Sequence, residues 1–303
     1  MYIVTHRNVF FCATGALVVA SLVALFAFGL HLGLDFTGGT LVQVAYPSER
    51  PASNLVAEAL DGSGIKNYSI REAGTSDYIV RAPNLSELQR SSIAEVVSGG
   101  ERYRGQITQL TEVGPTIGTE LRNKSIIALG LVLLCILLFI AFAFRKVSKP
   151  VSSWIYGLIA LVTLIHDVIV PLGFFAFLGY ITGAQVDTLF VTAILTILGF
   201  SIHDTIVVFD RTRENLRIND ERGRREDFAD TAGRSLGQTF VRSINTSLTV
   251  LITLSVLYFI GPESTRVFAL TLLVGIIAGT YSSIFLATPL LVTVEKWRSS
   301  RKK

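Results

Sequence analysis

The stretch Gly199–Leu216, GFSIHDTIVVFDRTRENL, decides how this chain is read. It closes an apolar run that begins near Val186, and inside that run stand His203 and Asp204. Asp210 and Arg211 follow, and then a dense run of charge. A carboxylate inside a membrane span costs about 2.5–3.5 kcal/mol on insertion scales, so such a residue faces a bundle interior or a pathway. At about 100° per residue, Asp204 shares a helical face with Ile197 and Arg211, while His203 shares one with Thr192, Thr196 and Asp210. The two polar stripes are adjacent and converge at the charged end. At about 1.5 Å per residue, Asp204 lies roughly 9 Å inside Asp210. That is deep enough to be dehydrated and near enough to reach water through one or two partners.

Outward from this stretch, six apolar runs approach or exceed the roughly 20 residues a bilayer requires. They are Val9–Leu30, Ile126–Phe144, Ser152–Leu178, Val186–Asp210, Thr239–Ile260 and Val267–Val294. Half of the residues are hydrophobic and the mean hydropathy is +0.53. This is the composition of an integral membrane protein. The first run follows His6 and Arg7 as a signal sequence would, but it is too long for one and lacks a small-residue cleavage site, so it reads as an uncleaved span. Cys12 and Cys135 both fall inside spans and offer neither a disulfide framework nor metal spacing. No HExxH and no cysteine cluster is present, so neither a metal nor a cofactor is expected.

Charge sets the orientation. Cytoplasmic ends carry the excess of Lys and Arg. Arg7; Arg145, Lys146 and Lys149; Arg211, Arg213, Arg217, Arg222, Arg224, Arg225, Arg234 and Arg242; and Lys296, Arg298, Arg301, Lys302 and Lys303 are 17 of the 27 basic residues. They alternate correctly for six spans with both termini cytoplasmic. The expected organisation is a cytoplasmic N-terminus and first span over 1–30, and an extracytoplasmic domain over 31–124. A five-helix bundle follows over 125–294, with a cytoplasmic loop at 211–238, and a basic tail closes the chain at 295–303. The net charge of +4 has meaning only through this asymmetry. Acids interleave with the basic residues of 213–237, and no aromatic platform accompanies them. The segment therefore reads as a solvated, partly helical connector and not as a nucleic-acid surface.

Residues 31–124 alternate like a small folded domain. Strands are expected at Gly39–Tyr46, Tyr68–Glu72, Tyr78–Arg81 and Gln106–Val113. Helices are expected at Ala52–Leu60 and Ser86–Val97, the second opened by a capping box of Ser86 and Gln89. The order β-α-β-β-α-β points to a ferredoxin-like α+β layer. The fold class is thus a polytopic α-helical membrane protein, six transmembrane helices with one small extracytoplasmic α+β domain. Two further features stand in the spans. Ile165-His166-Asp167 echoes Ile202-His203-Asp204, and Pro171 cannot donate to the carbonyl of Asp167, which predicts a kink and a free acceptor there. Asp167 reads equally as a functional carboxylate or as a packing residue. Gly275, Gly279, Ser283 and Ala287 recur every fourth residue, the mark of a tight helix interface.

Four motifs now carry a resemblance. GFSIHDTIVVFDRTREN resembles the fourth-span signature of the SecF family, membrane subunits of the bacterial SecDF protein-export accessory complex. Gly33–Thr40, GLDFTGGT, is similar to the family motif after the first span. Glu112–Leu121, EVGPTIGTEL, is similar to the one before the second, and Arg242–Leu248, RSINTSL, fits the fifth-span entry. The resemblance covers essentially the whole chain. It implies a member of the resistance-nodulation-division superfamily in the bacterial inner membrane, and not an enzyme. The partners it implies are SecD, the SecYEG translocon, YajC, a translocating preprotein and the lipid bilayer. It implies use of the proton motive force, with Asp204 as proton carrier and Arg242 as its counter-charge. Many relatives carry Asn where this chain has His203, so the proton carrier stays open between His203 and Asp204. Asp210 and Asp167 complete the candidate relay.

Two rival readings are weighed beside this one. Small-molecule exporters of the same superfamily carry two large outer domains on about twelve spans, whereas this chain has one small domain on six. A purely structural subunit would have no use for ionisable residues within its spans. Proton or sodium coupling is left open.

Overall fold

The structure, a computed structural model, describes residues 2–47, 49–83, 85–145 and 151–301. Lys146, Lys149, Lys302 and Lys303, used above for orientation, lie outside the described residues. The chain forms two compact units, Met1–His31 with Ile127–Lys303, and Leu32–Ile126.

The elements run in this order. Helices α1 (Tyr2–Thr5) and α2 (Arg7–Phe28) open the chain. The short α3 (Leu34–Thr37), β1 (Gly39–Ala45), α4 (Ser53–Gly62), β2 (Ser69–Ala73), β3 (Asp77–Ala82), α5 (Glu87–Ser98), α6 (Gly100–Tyr103) and β4 (Gln106–Val113) follow. The long helices are α7 (Pro115–Ala143), α8 (Ser153–Thr182), α9 (Thr188–Glu221) and α10 (Phe228–Ile260). Helix α11 (Glu263–Ser282) passes through a π-helical turn, Ser283–Ala287, into α12 (Thr288–Ser300). Among the described residues six helices are long and apolar enough to cross a membrane: α2, α7, α8, α9, α10 and the α11–α12 run. The chain is a multi-pass membrane protein with a small α+β domain.

In the Leu32–Ile126 unit all strand pairs are antiparallel, in the order β2-β3-β1-β4. Alternation in β1 and β3 sends Val42, Val44, Tyr78 and Val80 to one face. There they pack with Val56 and Leu60 of α4 and Ile93 and Val97 of α5. The capping box forms in both halves, Ser86 Oγ accepting from Gln89 N and Gln89 Oε1 accepting from Ser86 N. The glycines of GLDFTGGT have a steric task. Gly39 has φ +125°, and a Cβ there would stand 2.6 Å from the Ala82 carbonyl oxygen. A Cβ on Gly38 would stand 2.9 Å from Pro115 Cα, and one on Gly118 the same distance from Gly38 N. The two glycine motifs of the sequence therefore pack backbone to backbone.

Three of the long helices bear on the expected organisation of the membrane unit. Helix α7 begins at Pro115, eleven residues before the apolar run at Ile126, because proline at the first helical position costs nothing there. Helix α8 continues through Pro171 from Ser153 to Thr182. The predicted connector 211–238 is almost wholly helical, since α9 runs to Glu221 and α10 starts at Phe228. Ion pairs three or four residues apart support the extension of α9: Arg213–Asp210, Arg211–Glu214 and Arg217–Glu221. The small-residue stripe of the last span packs on α9. A Cβ on Gly275 would fall 2.0 Å from Ile197 Cδ1, and one on Gly279 would fall 2.8 Å from Ser201 Cβ. One turn further, Ser283 Oγ lies 2.9 Å from Thr205 Oγ1. This is close backbone approach through small residues.

Candidate functional site

Helix α9 divides its polar residues between inside and outside. Ser201, Asp204 and Thr205 are buried, with Asp204 only 3% exposed. Thr192, Thr196, His203 and Asp210 are exposed. The two stripes of the sequence thus face different surroundings. The core packing of α9 against α8 and α11 selects the Asp204 face, because Ile194, Ile197, Leu198 and Ser201 on that side are all buried.

Asp204 meets hydroxyls, not a cation. Ser247 Oγ on α10 donates to Asp204 Oδ2 at 3.4 Å, and Thr280 Oγ1 on α11 lies 2.7 Å from Ser247 Oγ. Ser243, one turn before Ser247, is buried and its hydroxyl also faces Asp204. Among the described residues no ion pair joins Arg242 to Asp204, and Arg242 is exposed on α10. Asp210 is also exposed, 3.5 Å from Arg213. The structure therefore does not bring the five candidate residues into one contact set.

Asp167 is the more deeply bonded carboxylate. It is fully buried on α8. Its Oδ1 lies 2.8 Å from His166 Nδ1, and its Oδ2 takes hydroxyls from Ser201 on α9 and from Ser282 on α11, the latter at 2.9 Å. Three helices are tied at one carboxylate. Ser283 Oγ also donates to the Ser201 carbonyl at 3.3 Å. The Asp167 and Asp204 clusters share α9 and lie one helical turn apart on it, through Ser201 and Asp204. The serines at 201, 282 and 283 were not singled out as polar partners in the sequence. The available signal was the place of Ser201 one turn from Asp204 and of Ser283 on the small-residue stripe, with Ser282 next to it.

A third cluster lies in the run read as solvated. Arg234 reaches Glu226 Oε2 at 2.6 Å, Asn215 Oδ1 at 3.1 Å and Asn219 Oδ1 at 3.3 Å. Asn219 and Thr231 donate to the same Glu226 oxygen at 2.7 and 3.0 Å. The Arg234 hydrogen bond first, with those of Asn219 and Thr231, holds the Glu226 carboxyl down at about 2, below its ordinary 4.5. Asn215 also donates to Ser235 and Gln238. The turn between α9 and α10 is thereby pinned at both sides.

What the fold and these clusters define is a six-span membrane protein with carboxylates buried inside its helical bundle and, as a separate unit, a small ferredoxin-like domain. The family described as "Protein export membrane protein SecD/SecF, C-terminal" matches residues 95–297, and the SecD/SecF GG motif matches residues 23–46. The protein translocase subunit SecF of Thermobaculum terrenum is 42% identical, over 97% of this chain and 93% of that protein. The one of Anaerolinea thermophila is 37% identical, over 99% and 97%. The crystal structure of SecDF, a translocon-associated membrane protein from Thermus thermophilus, superposes with a TM-score of 0.83 at 30% identity, covering 98% of this chain. A SecDF structure in super-membrane-facing form gives 0.67 at 31% identity, covering 96% of this chain. This chain spans 39% and 38% of those two longer chains. The chain belongs to the SecF family of protein translocase subunits, membrane proteins of protein export.

Proposed function

We propose that this chain assists translocation of polypeptides through the Sec channel, driven by the proton motive force, as the SecF subunit beside a SecD partner. The observation that carries the reading is Asp204, a carboxylate 3% exposed inside a membrane helix and held by hydroxyls. An ionisable group there is costly and is retained where it carries charge or protons. Asp204 takes and releases the proton. Arg242 and His203, exposed on neighbouring helices, approach it from the side where a partner stands. Asp210 offers the exit at the charged end, and Asp167 fixes α9 against α8.

The partner follows from the same surface. His203, Thr192 and Thr196 on α9 and Arg242, Asn245, Thr249 and Thr253 on α10 are exposed at span depth. Polar and charged side chains of this kind face protein or water, not lipid. SecD covers them. The charge asymmetry supports a bacterial inner-membrane orientation with both termini cytoplasmic and the ferredoxin-like domain outside, near SecYEG, YajC and the emerging preprotein. The role is transport, not catalysis of a chemical reaction.

The test is preprotein translocation into sealed vesicles, with and without an imposed proton gradient. Asp204→Asn keeps size and hydrogen bonding and removes the charge. It should assemble normally and lose the stimulation by the gradient. Vesicles of the variant that still respond fully to the gradient would remove Asp204 from the relay.

A further inference from the structure

His166 is 3% exposed and its two ring nitrogens have unlike surroundings. Nδ1 lies 2.8 Å from Asp167 Oδ1. Nε2 is buried with no hydrogen-bond partner among the described residues. The carboxylate beside it is crowded: Oδ2 already takes the hydroxyls of Ser201 and Ser282, and Oδ1 faces the ring. An ionised carboxylate only accepts hydrogen bonds, so its contact with Nδ1 puts the ring N–H on Nδ1. The neutral imidazole then carries its bare lone pair on Nε2. A buried acceptor left without a donor costs free energy, and that cost vanishes once something fills it.

We propose that the His166–Asp167 pair is a second proton-binding site of the membrane bundle, taking its proton at His166 Nε2. The site stands on its own geometry and goes beyond the Asp204 reading. The step balances without a co-reactant. One proton joins the Nε2 lone pair, Nδ1–H stays on Asp167, and no bond between heavy atoms changes. The charge of the pair goes from −1 to zero as imidazolium forms against carboxylate. Among the described residues, the titratable group that faces the imidazole from another element is Tyr281 on α11, whose ring stacks on it with centroids 6.3 Å apart. Helices α9 and α11 present hydroxyls to the carboxylate, and among the described residues no Lys or Arg is bonded to it. Neutralising the pair weakens the pull of Asp167 on Ser201 and Ser282 together. Two helix contacts therefore respond to one proton, and Ser201 sits one turn from Asp204.

The chain has four histidines, His6, His31, His166 and His203, so its imidazole nitrogens can be read one by one. The full chain, labelled with nitrogen-15 histidine and reconstituted with its partner subunit in bilayers, is followed by NMR through an acid titration. His166 is assigned by its loss in His166→Asn, whose amide keeps a donor near the place of Nδ1–H. The expected result is Nδ1–H with a bare Nε2 at neutral pH, and gain of a proton on Nε2 on acidification. A ring that carries its proton on Nε2 at neutral pH overturns the proposal, as does an Nε2 that stays bare down to the pH at which the fold is lost. Should His166→Asn fail to fold, the other three histidines are substituted instead, and the wild-type spectrum decides. Gradient-driven translocation by Asp204→Asn vesicles, measured alongside, separates the two readings. A titrating His166 with a fully responsive Asp204→Asn keeps this site and removes the Asp204 relay. An inert His166 with an unresponsive Asp204→Asn removes this site and keeps the relay.

Discussion

Ile165-His166-Asp167 lies in α8 and Ile202-His203-Asp204 in α9, and the same three residue types meet opposite fates. In α8 both polar side chains are buried and bonded to each other. In α9 the histidine turns outward and only the aspartate is buried. The α8 carboxylate accepts from three groups on three helices. Among the described residues the α9 carboxylate is held from one neighbouring helix, by the hydroxyls of Ser247, at 3.4 Å, and Ser243. The difference teaches that a buried carboxylate can be a knot or a mobile charge, and that the number and length of its hydrogen bonds distinguish the two. In the knot the carboxylate itself keeps its charge, because protonating it would strand several donors together, so a proton taken there goes to His166. A loosely held group changes state at small structural cost.

Asp167→Ala makes the largest break. It strands His166 Nδ1–H and the hydroxyls of Ser201 and Ser282, and each buried polar group left without its partner costs about 1–3 kcal/mol. Asp204→Ala should cost close to the roughly 0.6 kcal/mol average of an interhelical hydrogen bond in a membrane. Reversible unfolding of each variant in mixed micelles compares them. Equal losses would erase the distinction between knot and mobile charge.

Gly275→Ala comes next. Its Cβ would fall 2.0 Å from Ile197 Cδ1, and overpacking of this kind costs about 1–3 kcal/mol. Because α11 brings Ser282 to Asp167, the push should loosen the α8 cluster as well. Adding Ile197→Ala makes room, so the double variant should recover part of the loss, a non-additivity expected of touching residues. Strict additivity would mean that the stripe does not set the distance between α9 and α11.

Acid sharpens the comparison at the far end of α9, where the carboxyl is outside the membrane core. The folded-state value for Glu226, about 2, is below its ordinary 4.5. A depressed carboxyl contributes stability that is fully present above about 4.5 and is lost as pH falls toward 2. Glu226→Gln should flatten that acid limb, read as hydrogen-exchange protection at the α9–α10 turn between pH 5 and 2, roughly the window of linkage. An unchanged acid profile would show that Arg234 and Asn219 hold the turn without it.

The smallest effect is that of His203→Asn. The side chain is exposed in this chain, so stability of the subunit alone should shift within about 0.5 kcal/mol. Any larger change should be visible only with the partner bound. A loss of stability in the isolated chain would put the ring against its own bundle.

The sequence made the six spans legible because their apolar runs are long, and it made β4 legible to the residue because Gln106–Val113, rich in Ile, Thr, Leu and Val, stands between Gly105 and Gly114-Pro115. It located the interface stripe of the last span by its fourfold spacing. Three things were out of reach. Adjacent residues on a helix point about 100° apart, so two polar stripes side by side do not say which one faces the core. That choice is made by Ile197 and Ser201 meeting α11. The rank of Asp167 depended on Ser201 and Ser282, 34 and 115 residues away along the chain. The pinned turn was hidden because Arg234, Glu226 and Asn219 look like any solvated run until α9 and α10 fold back on each other.

One feature of the last span constrains how this family can vary in length. The π-helical turn Ser283–Ala287 carries more residues per turn than the α-helix on either side. Its five residues sweep about the angle that four sweep in an α-helix, so deleting a single residue there would return the run to α-helical spacing and leave Leu291 and Val292, both fully buried, facing the core. A deletion anywhere else in the span would turn Thr288–Ser300 by about 100° relative to α11. The π turn is therefore the point at which this span can lose a residue without rebuilding the apolar face of α12.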